Sequence, residues 1–443
     1  MKLNKYTAML AALGVVSLAG VAEANTTVYL TGSTAARSII AAALSTSGVV
    51  FDGASSIVST TPNTSPTGSL VVFEGQINTQ TVDISCSWNG SEAGIASICG
   101  TTLVNPGTGV NLPGSPASFL TAPNWNPASA TVEQGNLAMA DTSQAVSQTS
   151  PSLHPCVLYA EVGIVPFTVM KGYMKTADTT GYSDLNNVTT AAMNNAVGGL
   201  TIESYFTGNP SDTDYIGVCG RNIGSGTRAN ALLNFIYPVD QTVDQFAYGY
   251  ENSGVLTFGL SSGGTTTTDY ENSQYPGTGP LDVGDDGFDS GGSVATSLEV
   301  DETGANLDGI TGFLVGYLGI SDAKTANTGT SGATGVSGGA TYLTYNGVYE
   351  GDTAVENGSY TYWGGEHLYG TPGQSNTSEA AIVAGKLKTG ISTIMAATGG
   401  SITGSAVAGA AAGNVSSNPS QSILIPLGSM AVTRGGDGGF PTP

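Results

Sequence analysis

Tyr215-Ile216-Gly217-Val218-Cys219-Gly220-Arg221-Asn222-Ile223-Gly224-Ser225-Gly226-Thr227-Arg228 is the stretch that decides how this chain is read. Its first five residues make a short, largely apolar run of strand type. A glycine-rich polar turn follows, and Ala231, Leu232, Phe235 and Ile236 then recur at helical spacing. A strand, a tight turn and a helix start in that order put small residues where unpaired backbone N–H groups and the positive end of a helix dipole meet. Gly224 and Gly226 let a backbone approach closely, and Ser225 and Thr227 add hydroxyls. Such a turn can wrap a tetrahedral oxyanion, with Arg221 supplying a fixed charge and fork-shaped donors.

The same unit occurs twice more. Val28-Tyr29-Leu30 leads through Thr31-Gly32-Ser33-Thr34 into a helix with Ile39, Ile40, Ala43 and Leu44 on one face. Residues 81–85 lead through Trp88-Asn89-Gly90-Ser91 into a helix with Ala93, Ile95, Ala96 and Ile98 on one face. Serine and threonine are ordinary helix caps, so one turn alone says little. Three of like chemistry in one chain predict an α/β fold with largely parallel sheets and a neutral cage where the turns converge.

Composition narrows the partners. Lys and Arg number 11 against 33 Asp and Glu, a formal net charge of −22, which excludes nucleic acid and anionic membrane surfaces. A chain this acidic repels anions at long range. If it binds one, local backbone dipoles and a few placed cations must do so. Charged residues are 10% of the chain, and Gly, Ser, Thr and Asn dominate four loop-like segments, 101–130, 262–292, 325–341 and 398–419.

The N-terminus reads as an export signal. Lys2 and Lys5 precede an apolar run over residues 8–19, and Ala22-Glu23-Ala24 has the small-x-small form of a cleavage site. The mature chain then begins at Asn25, without a membrane anchor, since no cysteine follows the cut and no later run looks long and apolar enough to span a bilayer. Cys86, Cys99, Cys156 and Cys219 remain. In an oxidising compartment an even number suggests two disulfides, here expected as 86–99 and 156–219. Their spacing fits no zinc pattern, and no cofactor or metal is expected.

On these residues the chain resembles the phosphate-binding proteins of bacterial ABC uptake systems, members of the type II periplasmic binding proteins. Arg221 to Thr227 is similar to their Arg-x-x-Gly-Ser-Gly-Thr motif, and Thr31-Gly32-Ser33-Thr34 to their first phosphate loop. Asn89-Gly90-Ser91 falls where their second loop is expected. Leu137-Ala138-Met139-Ala140-Asp141 resembles a strand ending in a ligand-facing Asp, Asp308-Gly309-Ile310-Thr311-Gly312-Phe313 a later strand, and residues 360–369 a returning segment. Two departures stand out: Ile223 where many members have an Asp that orients the arginine, and Trp88 in the second loop. The resemblance implies two α/β lobes with mixed sheets flanked by helices, joined by two crossover strands, the first near residues 163–169. Residues 1–24 would be the signal peptide, 25–161 plus 346–443 lobe one, and 162–345 lobe two. It also implies a periplasmic or secreted, monomeric, non-enzymatic protein that captures inorganic phosphate for an ABC permease. The ligand set so implied is Ser33, Thr34, Ala35, Asn89, Gly90, Ser91 and Asp141 from one lobe and Arg221, Ser225, Gly226 and Thr227 from the other. Asp141 would accept a proton from hydrogen phosphate that sulfate does not carry.

Rival signals are weaker. Gly259-Leu260-Ser261-Ser262-Gly263 fits the nucleophile-elbow pattern without a clear strand before it or helix after it. His154 and His367 read as structural. Asp282, Asp285, Asp286 and Asp289 invite a calcium reading, but Gly284 and Ser293 fall where an EF-hand needs ligands. Gly291-Gly292-Ser293 reads instead as a further helix start near the cleft. Another oxyanion, or an exported structural or surface protein that retains the fold, are the alternatives.

Overall fold

Buried, β-branched and small apolar residues alternate with short helices to build one mixed sheet through the protein. The computed structural model describes residues 25–58, 65–104, 111–112, 117–122, 125–126, 130–175, 180–247, 250–252, 255–257, 281–284, 287–302, 306–307, 310–330, 338–398 and 421–442. Its main strands are β1 (Thr26–Gly32), β2 (Leu70–Ile77), β3 (Gln80–Ser87), β4 (Leu137–Ala140), β5 (Val157–Lys171), β6 (Tyr215–Cys219), β7 (Ile310–Gly319) and β8 (Trp363–Gly370). Strand order across the sheet is Thr201–Ile202, β6, β7, β5, β8, β4, β1, β3, β2, Ser56–Ile57.

Among the described residues of this sheet, the parallel pairs are β1 with β3, β1 with β4, and β6 with β7. The long strands β5 and β8 are antiparallel to their neighbours and join the two halves of the sheet. The sheet is therefore mixed rather than largely parallel. β4 and β8 are buried along their whole length, as central strands covered on both faces must be. The crossing expected near residues 163–169 lies within β5.

Helices cover both halves: α1 (Arg37–Ser45), α2 (Ser91–Ile98), α3 (Gly226–Asn234), α4 (Gly291–Leu298), α5 (Ile320–Thr328) and α6 (Glu379–Thr398). α1 buries Ile39, Ile40, Ala43 and Leu44 as its spacing predicts. α3 ends one turn earlier than the apolar pattern suggests. Phe235 is its C-cap, and Ile236 turns to a φ of 58° and is 70% exposed. α5 extends to Thr328, so the segment expected as a loop from residue 325 begins helical. By length and composition α6 could cross a membrane, contrary to the expectation that no later run could. Its buried face of Val383, Ala384, Leu387, Ile391, Ile394 and Met395 packs into the main core, which is the pattern of a core helix.

The C-terminal residues 421–442 run over the crossover strands. Ile425 and Ile164 exchange backbone hydrogen bonds of 2.8 and 2.9 Å. Arg434 lies 3.6 Å above the Trp363 ring, its guanidinium donating to the carbonyls of Trp363 and Thr361. Asp437 accepts from the amides of Ser143 and Gly365. Loop calls over residues 105–110 and 399–419, and the nucleophile-elbow match at 259–263, lie outside the described residues, as does the signal segment 1–24.

The disulfide expectation is overturned. Cys86 lies in β3 and Cys219 in β6, each fully buried as a free thiol in a different core cluster. Cys99 caps α2 at its C-terminal end and faces Cys156, the Sγ atoms 2.6 Å apart. Pairing 86–99 would need the β3 side chain to leave the core, and 156–219 would need Cys219 to do the same.

Several carboxyls are buried with little compensation. Burial lifts Glu203 to about 7, with Asp214 and Asp212 adding to the rise. Glu350 is lifted to about 8 by burial, against a hydrogen bond from Gln421. Glu302 is also raised well above the carboxylate range by burial. Raised folded-state values mean that the native chain binds more protons than the unfolded one between roughly pH 4.5 and pH 8. Stability is therefore greatest at the acid end of that window and falls as pH rises through it. Thermal unfolding followed by circular dichroism should give a midpoint higher at about pH 5 than at about pH 8 by several degrees; a midpoint equal or higher at the alkaline end would contradict this.

Candidate functional site

Four elements bring their ends together at the carboxyl edges of β1, β4 and β6. β1 ends in Gly32, whose φ of 115° turns the chain so tightly that a Cβ there would lie 1.9 Å from the Met139 carbonyl oxygen. The Ser33 amide then donates to that carbonyl at 2.8 Å. The second turn is tied to the first. Thr31 Oγ1 donates to Asn89 Oδ1 at 2.6 Å, and the Gly90 amide donates to the Gly32 carbonyl at 3.0 Å. Gly90 has a φ of 100°, with the Gly224 carbonyl oxygen 2.3 Å from where its Cβ would be. Only glycine fits at this approach of the second turn to the third.

Asp141, the residue after β4, sits at the centre and is 1% exposed. Ser91 Oγ donates to its Oδ1 at 2.5 Å and accepts from the Asp141 amide at 3.1 Å. The first turn of α3 closes on it from the other half of the sheet. A Cβ at Gly226 would meet Asp141 Oδ1 at 1.6 Å, and Asn230 Nδ2 donates to the Asp141 carbonyl at 2.6 Å. Burial raises Asp141 to about 6, against the Ser91 hydrogen bond and the charge of Arg221 and with a contribution from Asp437.

Arg221 is 2% exposed, and backbone carbonyls aim it. Nε donates to the Phe288 carbonyl at 3.1 Å and Nη2 to the Asp289 carbonyl at 2.8 Å. Burial lowers its pKa, while the charges of Asp322, Asp289 and Asp141 oppose that. Asp322 in the first turn of α5 and Asp289 before α4 are the acids whose charge bears most on it. Ile223 is 2% exposed and packs against Ala93, Ala96, Leu103 and Leu112, gluing the third turn to α2. Trp88 is likewise a core residue, buried in the main cluster.

The expected residues divide by what they touch. Gly90, Ser91, Asp141, Arg221, Gly226 and the amides of the third turn come together. Ser225 spends its hydroxyl as the N-cap of α3, accepting from the Arg228 amide at 3.3 Å; this is the ordinary capping role. Thr227 is buried beside it, and Thr34 and Ala35 are half-buried at the start of α1. Gly291 does begin a helix, capped by Ser290. A Cβ there would meet Asp322 Oδ2 at 2.0 Å, so α4 and α5 start side by side. Of the acidic loop, Asp285 and Asp286 lie outside the described residues, while Asp289 serves Arg221. His367 stacks on Tyr369, with Nδ1 3.3 Å from the Ala140 carbonyl.

Arg37 escaped the sequence reading, and Glu366 was read only as a structural residue of the returning segment. Arg37 opens α1, and burial lowers its pKa, with Asp322 opposing and Arg221 adding to the drop, which places it in the same charge cluster. A cation at a helix N-terminus opposes the macrodipole, and in a chain with 11 Lys and Arg that oddity was a usable signal. Glu366 on β8 is fully buried and accepts from Ser33 Oγ at 3.1 Å. Burial and the nearby Asp141 charge raise it well above the carboxylate range. No local pattern marks it. Chemically, the arrangement gathers helix N-termini, two guanidiniums and two acids that can carry protons, each acid accepting from a serine hydroxyl.

No protein-family model matches the chain, and no curated protein does. Among solved structures it is similar to a phosphate-bound protein of Clostridium perfringens described as a phosphate ABC transporter substrate-binding protein. That superposition has a TM-score of 0.41 and 13% identity, covering 81% of this chain and 91% of that one. It is also similar to an ABC-type phosphate transport receptor of Vibrio cholerae, with a TM-score of 0.38 and 10% identity, covering 84% and 98%.

The Gly226 contact generates a direct test. Gly226→Ala should push the third turn off Asp141 and Ser91, destabilising the chain by about 1–3 kcal/mol as overpacking does. Faster amide exchange in the first turns of α2 and α3 should accompany it in hydrogen-exchange mass spectrometry. Unchanged stability and exchange would show that this contact does not hold the two halves together.

Proposed function

We propose that the chain is an extracytoplasmic binding protein that encloses phosphate between two lobes, 25–161 with 346–443 and 162–345, for delivery to an ABC permease. The observation that carries this reading is the buried Asp141 carboxylate lying against the first turn of α3. A carboxylate in a cage of helix N-termini is repulsive to a fully ionised anion and attractive to one that brings a proton. Hydrogen phosphate brings one and sulfate does not.

In this reading the anion is held by the amides of the first three turns, with Arg221 as the fixed charge and Ser33, Thr34, Ala35, Asn89, Gly90, Ser91, Ser225, Gly226 and Thr227 around it. The third turn must withdraw from Asp141 for the ligand to enter, so binding and hinge motion about β5 and β8 are one event. No bond in the ligand is made or broken. Export, processing after Ala24 and a monomeric state belong to the same proposal. A second reading is an exported structural protein that keeps the fold without a ligand. It is favoured by the way Ser91 with Asp141, and Ser225 with the Arg228 amide, satisfy one another.

Calorimetric titration of the ligand-stripped mature chain separates these. Phosphate should bind at about pH 8 and sulfate more weakly by orders of magnitude, as buried polar mismatches produce (roughly 10⁴ in good cases). Arg221→Ala should abolish binding, and Asp141→Asn should bring sulfate toward phosphate. Because Asp141 titrates at about 6, the preference for phosphate should shrink as pH falls below that value and the neutral acid donates to sulfate. A folded, stripped chain that gives no heat with either anion would sink the proposal in favour of the structural reading.

A further inference from the structure

Cys99 and Cys156 face one another across the base of the Asp141 loop. Their Sγ atoms are 2.6 Å apart, and both residues are half-buried. The surrounding backbone is already arranged for this approach. Gln144 accepts from the Cys156 amide at 3.0 Å and donates through Nε2 to the His154 carbonyl at 2.5 Å. Its own amide donates to the Tyr369 hydroxyl at 2.9 Å. Cys86 and Cys219, by contrast, are fully buried in separate clusters.

We infer that Cys99 and Cys156 form an intramolecular disulfide that closes the segment carrying Asp141, while Cys86 and Cys219 remain thiols. The hydrogen bond from Cys156 lowers the Cys99 thiol, whereas burial pushes Cys219 up to about 12 and raises Cys86 too. Cys99 is therefore the attacking group, since the thiolate is the nucleophile. With a small-molecule disulfide as oxidant, the Cys99 thiolate displaces one thiol and forms a mixed disulfide. Cys156 then gives up its proton, attacks the Cys99 sulfur and displaces the second thiol. The protein loses two protons and two electrons, and the oxidant takes them up to become two thiols. The link closes a chain separation of 57 residues, long enough to remove substantial freedom from the unfolded state. It is independent of the identity of the bound anion.

The test uses the mature chain, reduced and then exposed to glutathione disulfide without denaturant. Intact-mass and peptide mapping should show the loss of two hydrogen masses, one linked peptide joining Cys99 to Cys156, and two thiols that react only after unfolding. The oxidised chain should melt several degrees above the reduced one. Cys156→Ser should instead accumulate a glutathione adduct on Cys99. A link involving Cys86 or Cys219, adducts without a link in the unsubstituted chain, or no reaction would each overturn the inference.

Discussion

The contact between Asp141 and the start of α3 is the constraint on which the rest of the structure depends. Through Ser91, Gly226 and Asn230 it joins the end of a strand in one half of the sheet to a helix N-terminus in the other. β5 and β8 pair with each other and join the same halves through the sheet. Glycine at 90 and 226 is the sequence consequence. Any side chain at either position would occupy space that the opposite turn already fills.

Electrostatics is compatible with the anion site proposed for so acidic a chain. The net charge of −22 acts through water and is screened beyond about 8–10 Å at ordinary ionic strength. Around Asp141 the field comes from helix ends and from Arg37 and Arg221, while burial keeps Asp141 and Glu366 within reach of protonation. Side-chain charge there is balanced rather than positive. Backbone dipoles then provide the surplus. The same burial that tunes the site raises Glu203, Glu302 and Glu350 elsewhere, so acid tolerance is a property of the whole fold.

Much of this was legible in the sequence because it is local. A strand, a turn of small residues and a helix start lie close together in the chain, and in all three such units these parts form as read. β4 with Asp141 and the return strand β8 were legible only through the resemblance, since no local pattern marks them. What was not legible depends on residues far apart in the chain. The charge of Asp322 bears on Arg221 from far along the chain, Glu366 reaches Ser33, and Asp437 from the C-terminal segment accepts from the Ser143 amide. The cysteines show the same limit. Spacing suggested neighbours in sequence, while Cys99 meets Cys156 because the end of α2 lies beside the start of β5. The end of α3 failed for a different reason. Apolar periodicity continues to Ile236, but the backbone turns left-handed there and leaves the side chain in water.

The central claim is that converging helix N-termini, Asp141 and Arg221 form one anion cage. A crystal structure of the mature chain grown with phosphate tests it most directly. The account predicts a single tetrahedral density between the second and third turns, within hydrogen-bonding distance of Asp141, of the Arg221 guanidinium and of the Gly226 amide. Phosphate bound elsewhere, or a cleft still closed on Asp141 by α3 at saturating phosphate, would contradict it.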